Sequence, residues 1–244
     1  MGTIDEEANL RVVLPRLRPI VREIVIVDDG STDRTRDIAR AHDAIVVERP
    51  GRLGIGSAIY AGVARASMPV IAALDADASH PPDALLDAYA VLVRGNDIVR
   101  FSRFLTGSTW DAPLARRLAV RMLARMLAVA CRLPLTDPTN GFMLARRECF
   151  DGPTRFTVDA GQGWVAEFLA RNRARPMTEL AYAHAARAHG RSRHTARQEL
   201  ERALRSLLLG MGVGAPRHAV GSRTSSRLSD RNGVGSSGVT PSAS

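Results

Sequence analysis

Lysine is absent from this chain of 244 residues, so its 34 Lys-plus-Arg positions are all arginine. That excludes amine-base and Schiff-base chemistry, because a guanidinium stays protonated. It leaves a planar fork well suited to phosphate. Cysteine is nearly as scarce. Cys131 and Cys149 give no disulfide framework, and neither has a Cys or His partner at zinc spacing. Both read as buried thiols of a reducing compartment. Aromatic residues make up only 5% of the chain. That is too few for a base-stacking platform, which argues against a nucleic-acid binder despite a net charge of +9. No apolar run approaches the roughly 20 residues needed to span a bilayer. Met1 to Asn9 is acidic and polar, unlike a signal peptide. The expectation is a cytoplasmic protein whose positive charge meets phosphate-bearing partners.

What is present is an apolar fraction of 45%, enough for a core, and an alternation of strand and helix patterns. Apolar periodicity predicts helices over 8–17, 34–41, 57–66, 83–92, 114–131, 164–171 and 197–209. Pro15 is expected to kink or end the first of them. Short β-branched or apolar runs predict strands over 23–27, 44–48, 70–74, 97–101, 141–145 and 177–182. Alternation of this kind predicts an α/β fold, with a mostly parallel sheet flanked by helices. The domain covers residues 1–214. Residues 215–244, rich in Ser, Gly and Arg, read as a disordered tail.

In such sheets ligands bind beyond the carboxyl ends of the strands. Asp75-Ala76-Asp77 falls there, directly after a buried strand. Two carboxylates one residue apart on a turn can face Mg²⁺ or Mn²⁺ and leave coordination positions for phosphate oxygens. Asp28-Asp29-Gly30-Ser31 ends an earlier strand. One acid there can accept hydrogen bonds from a base or ribose. The other can cap the next helix through the Arg34 and Thr35 amides. The glycine-containing loop 49–57 opens a helix, and its Arg52 offers a cation to a diphosphate. His80, before two prolines, reads as structural. His184, His189 and His194 do not carry a metal reading.

Four segments in order resemble the family 2 glycosyltransferases, and among them the dolichol- or polyprenyl-phosphate mannosyltransferases. They are Val27 to Asp33, Arg49 to Gly56, Asp75 to Pro82 and Asp137 to Phe142, within residues 3–195. The resemblance implies a GT-A fold, Rossmann-like, and inverting transfer of a hexose from a nucleotide sugar of the GDP-mannose or UDP-glucose class. It implies a polyprenyl phosphate acceptor and peripheral contact with the inner face of the plasma membrane. By the same likeness Glu6, Asp28, Asp29, Arg52, Asp75 and Ala76 bind the nucleotide sugar, and Asp75, Asp77 and Ser79 hold the metal. Asp77, Asp137 and Arg103 are the catalytic candidates. Arg116, Arg117, Arg191 and Arg193 serve the acceptor phosphate. Relatives open with a strand before a Tyr-Asn-Glu turn. Here Ile4-Asp5-Glu6 takes that place after only Met1 to Thr3, so the first strand is expected to be missing. Phe101 stands where the family has glycine.

Three other readings compete. A phosphorelay receiver domain needs a lysine near its acidic pocket, and this chain has none. A nucleic-acid binder lacks the aromatics. A truncated copy that binds nucleotide without turnover follows from the expected loss of the first strand. The helix over 114–131 sets Arg117, Arg121 and Arg125 beside a Leu/Met row, a pattern that suits an anionic membrane surface or a packed core helix with a solvated flank.

Overall fold

The computed structural model describes residues 1–151 and 163–189. The expected helix over 197–209, the tail over 215–244, Arg191 and Arg193 lie outside the described residues.

Strand β1 (Gly2–Thr3) leads into helix α1 (Glu7–Leu17), then β2 (Val25–Asp28), α2 (Thr35–Ala41), β3 (Ile45–Glu48) and α3 (Ile55–Arg65). The chain continues through β4 (Val70–Ala73), α4 (Ala84–Leu92), β5 (Ile98–Ser102), β6 (Thr109–Trp110) and α5 (Leu114–Ala130). It ends with β7 (Met143–Arg146), a 3-10 turn (Arg147–Phe150), α6 (Gly163–Arg171), β8 (Met177–Ala181) and β9 (Ala183–His184). One sheet runs β1-β2-β3, all parallel. A second runs β4-β7-β5-β8, with β5 and β8 parallel and β7 antiparallel to both its neighbours.

Side chains alternate across β5 and β7, and both faces of these central strands are buried, as a helix-covered sheet requires. Val99, Phe101 and Leu144 join one apolar cluster with Leu10, Leu14 and Ile38 of α1 and α2. Ile98, Met143 and Ala145 point the other way, into a cluster with Val63 of α3 and Phe168 of α6. Each fully buried leucine contributes about 1.5–3 kcal/mol relative to exposure, so α1 is held chiefly by Leu10, Leu14 and Leu17.

Two expectations need correction. The opening strand is present as a short one. Val27 N–H donates to the Met1 carbonyl at 2.8 Å, and Asp29 N–H donates to that of Thr3 at 2.9 Å. Three residues suffice because the ladder needs only backbone, and Gly2 lets α3 approach closely: a Cβ there would lie 2.8 Å from Ile55 Cδ1. Pro15 does not break α1 either, since Arg18 N–H still reaches the Leu14 carbonyl at 2.9 Å. Pro15 sits on the exposed side of the last turn, where water can satisfy the carbonyl it leaves free.

Candidate active site

Strand β4 delivers Asp75-Ala76-Asp77 to its carboxyl end. Ala76 is buried, and Ala78 adopts a left-handed φ of 65°, so the chain turns sharply there. Asp77 Oδ1 accepts from the Ser79 amide at 3.0 Å and from the Ser79 hydroxyl at 2.6 Å. Ser79 therefore orients Asp77. His80 Nδ1 accepts from the Asp75 amide at 3.1 Å, and its ring stacks 4.7 Å from Phe142. Burial holds the His80 pKa well below its usual value, so the ring is a neutral structural brace. Burial, and then the charge of Asp77, push the Asp75 carboxyl upward, although 45% of its side chain remains open. Two acids that repel one another on an accessible rim favour a cation between them. Among the described residues no group of three His, Cys, Asp or Glu side chains could complete a metal cage. The pair therefore fits a hard divalent ion that takes its other oxygens from water and substrate phosphate.

The Asp28-Asp29 corner divides its labour differently from the sequence reading. Asp28 is buried, and its carboxylate accepts from the Ser31 amide at 3.0 Å and from the Ser31 hydroxyl. Arg36 Nε lies 3.8 Å away. Neither acid takes up the Arg34 or Thr35 amide at the start of α2: Glu7 accepts from Arg34 at 3.2 Å and Asp33 from Thr35 at 2.9 Å. Asp29 faces the glycine loop, where Arg49 Nε donates to it at 2.5 Å. Arg49 also donates to the Ser57 hydroxyl and the Gly54 carbonyl, fastening the loop to the strand end. Arg52 is exposed on that loop.

Arg103 and Asp137 form one unit. Arg103 Nε and Nη2 donate to the two oxygens of Asp137 at 2.7 and 2.9 Å, and Nη2 also reaches the Thr139 hydroxyl at 2.7 Å. Burial alone would raise the Asp137 pKa. The pairing with Arg103 outweighs it and leaves the group below the usual range. The guanidinium lies 4.7 Å over the Trp110 ring, and Arg116 approaches the same ring at 5.9 Å. Arg117 is exposed one residue further along α5.

Sequence reasoning missed three residues here. Arg100 on β5 is fully buried and donates to the Asp137 and Asn140 carbonyls. Glu179, opposite it on β8, accepts from the Thr136 amide at 2.6 Å and the Asp137 amide at 3.0 Å. Together they clamp the 136–140 loop by its backbone. Arg187 bridges the two acidic corners, paired with Glu6 and 3.7 Å from Asp77. Only the charges of these residues were visible in sequence, without a motif to rank them. Glu179→Ala is expected to cost about 1.5–3 kcal/mol in urea unfolding, the worth of hydrogen bonds to a charged acceptor. Glu179→Gln, which keeps an acceptor oxygen, is expected to cost less.

The glycosyl transferase family 2 model matches residues 1–152. A dolichol-phosphate mannosyltransferase of Pyrococcus furiosus is 29% identical over 207 residues, covering 78% of this chain and 57% of that protein. The chain thus spans little more than half of that relative. An uncharacterized glycosyltransferase of Mycobacterium tuberculosis is 34% identical over 193 residues, 78% of this chain and 85% of the relative. Among solved structures, glucosyl-3-phosphoglycerate synthase from M. tuberculosis, in complex with Mn²⁺ and UDP-glucose, superposes with a TM-score of 0.64. It is 23% identical and covers 88% of this chain and 78% of its own, a likeness of fold alone. A matched motif series, a relative above 30% identity and a GT-A fold with its acidic turn at the sheet rim agree: the chain belongs to glycosyl transferase family 2.

Proposed function

We propose that this chain is an inverting glycosyltransferase that moves a hexose, mannose or glucose, from a nucleoside-diphosphate sugar to a polyprenyl phosphate. The observation that carries the reading is the joining of its two acidic corners. Asp5 N–H donates to the Ser31 hydroxyl beside Asp28, while Glu6 holds Arg187 against Asp77. A nucleoside at the Asp29–Arg52 loop thereby reaches a diphosphate over Asp75 and Asp77. Asp75 and Asp77 would hold a divalent ion, Mg²⁺ or Mn²⁺, whose charge when bound would neutralise the departing diphosphate.

The chain's own residues do the rest. An acceptor phosphate oxygen attacks the anomeric carbon as the bond to the nucleoside diphosphate breaks on the opposite side. That oxygen is already an anion, so no strong base is needed. Asp137 fits this: Arg103 occupies it and keeps it ionised. Its task is to aim Arg103, which with Arg116 beside the Trp110 ring offers charge to the acceptor phosphate. On α5, Leu118 and Met122 are 59% and 64% exposed next to exposed Arg117, Arg121 and Arg125. Such a face suits an anionic bilayer carrying the lipid acceptor. No helix among the described residues is long and apolar enough to cross one.

The test is a panel of nucleotide sugars with Mn²⁺ and polyprenyl phosphate in vesicles. Released nucleoside diphosphate and label in the lipid extract are both measured. One sugar nucleotide is expected to give both signals in equal amounts, and chelator to abolish them. Diphosphate release without lipid label would replace the acceptor. Nucleotide binding without release would make the chain a binding protein.

A further inference from the structure

The transfer makes no use of His184 or Tyr182, yet both stand in the site. The parallel pairing of β6 with β9 sets His184 opposite Trp110, and the imidazole lies at 85° to the indole with ring centroids 5.9 Å apart. Arg103 and Arg116 approach that same indole. Beyond β9 the chain is tied to the acidic turn: Ala185 N–H donates to the Ser79 carbonyl and Ala188 N–H to the Asp77 carbonyl, each at 3.1 Å. His184 therefore stands between the two cations and the turn that carries Asp75 and Asp77. Its neighbours decide which ring nitrogen holds the hydrogen. Asn140 Oδ1 accepts from the Phe142 amide at 3.2 Å, so its Nδ2 donates to the Phe101 carbonyl at 2.7 Å and to the Tyr182 hydroxyl at 2.9 Å. The phenol oxygen thus accepts from Asn140, and its one proton goes to His184 Nδ1, 2.9 Å away. Tyr182 is buried, where an unshared hydroxyl proton is unfavourable. With Nδ1 an acceptor, the neutral ring carries its hydrogen on Nε2. Burial holds the His184 pKa at about 4, so the ring is neutral at pH 7. It is only partly buried, and among the described residues Nε2 has no hydrogen-bond partner.

We propose that His184 donates its Nε2–H to a phosphate oxygen of the acceptor, an inference that rests on the acceptor being a phosphate. A phosphate oxygen, which accepts, is the complement of a nitrogen that here can only donate. Arg103 commits Nε and Nη2 to Asp137 and Thr139, so a further donor beside the same indole completes the set of groups around the acceptor. Because the imidazole is neutral, it turns one oxygen toward itself without the added charge that would make the attacking oxygen a weaker nucleophile. His184 is not a general base in this arrangement, since Nε2 already carries hydrogen. Tyr182 is a positioning residue: it acts only through His184 Nδ1, and Asn140 sets the direction of its proton.

The experiment measures binding of farnesyl phosphate, without metal or sugar nucleotide, to the parent chain and to His184→Phe, His184→Gln and Tyr182→Phe. Nitrogen-15 NMR of the imidazole reports which nitrogen carries hydrogen. In the parent the hydrogen is expected on Nε2, and its resonance is expected to move when the probe binds. His184→Phe keeps a ring against Trp110 and is expected to weaken binding about tenfold, the effect of losing one hydrogen bond to a charged acceptor. His184→Gln, which keeps an N–H, is expected to weaken it by less than about threefold. Tyr182→Phe is expected to populate the Nδ1–H form of His184 and to weaken binding about threefold, an effect that a purely structural tyrosine would not have on the ring's hydrogen. Nucleoside diphosphate with Mn²⁺ is expected to bind all four chains equally. Hydrogen on Nδ1 in the parent, equal binding of the probe by the parent and His184→Phe, or a loss confined to nucleoside diphosphate would each overturn the assignment and leave the phosphate acceptor standing. A parent chain that binds no farnesyl phosphate would overturn the acceptor reading and this inference together.

Discussion

Asp77→Asn is expected to lower metal-dependent transfer on the order of 10²–10³-fold, the usual effect of removing one preorganised group that stabilises charge developing on a leaving group. The variant is expected to remain folded. Asparagine keeps an Oδ1 to accept the two bonds from Ser79 and removes only the charge. Its stability follows from the neighbouring acid. In the folded chain the Asp75 pKa lies above its unfolded value, raised by burial and then by Asp77. The folded state therefore holds more protons than the unfolded state in the window above the ordinary carboxylate pKa, and stability from this group falls as pH rises through that window. Removing the Asp77 charge lets Asp75 ionise more readily and relieves the loss. In chelator, the Tm of Asp77→Asn relative to the parent is expected to climb between about pH 4 and pH 8, the span in which a raised carboxyl titrates. Full transfer by the parent chain in chelator would remove the metal from the mechanism. A folded Asp77→Asn chain with undiminished turnover would remove Asp77.

The elements were legible where a pattern was long or a cap was local. The α1 stripe of Leu10, Val13, Leu14 and Leu17 reads as one face of a helix, and the structure buries all four. The β-branched runs at 25–28 and 45–48 form neighbouring parallel strands. Strand direction was not legible. Met143–Arg146 is short and apolar on either reading, and only its position between β4 and β5 makes it antiparallel. The two-residue pairing of β6 with β9 is too short for any period. At the site, the acidic turns were legible because adjacent carboxylates after a strand are costly without partners. Which partner each finds was not. Asp28 turns to Ser31 and Arg36, while Asp29 turns to Arg49, and the sequence treats the two acids alike. Arg100 occupies a position that the strand pattern reserves for an apolar side chain. Its reason lies 37 residues on, in the Asp137 carbonyl it binds.

Arg103→Ala is expected to be the most damaging substitution for stability, at about 3–5 kcal/mol, because it strands a buried carboxylate. Asp137 has no exposed surface and loses two charged hydrogen bonds at once. Against a total stability of about 5–15 kcal/mol, that brings the chain near unfolding at room temperature. Arg103→Lys restores the charge but not the fork. A single ammonium cannot span both Asp137 oxygens and the Thr139 hydroxyl, so this variant is expected to fold and to lose most transfer. The double variant Arg103→Ala/Asp137→Asn separates pairing from catalysis. With the buried charge gone, it is expected to recover a large part of the stability lost by Arg103→Ala alone, a coupling readable by urea unfolding of the four-member cycle. Its transfer activity is expected to stay lost, since of the two cations Arg116 alone then stands beside Trp110 toward the acceptor phosphate. Additive stabilities would mean that the ion pair contributes nothing beyond its separate side chains. Recovered activity in the double variant would mean that Arg103 serves the fold alone and that Arg116 carries the phosphate unaided.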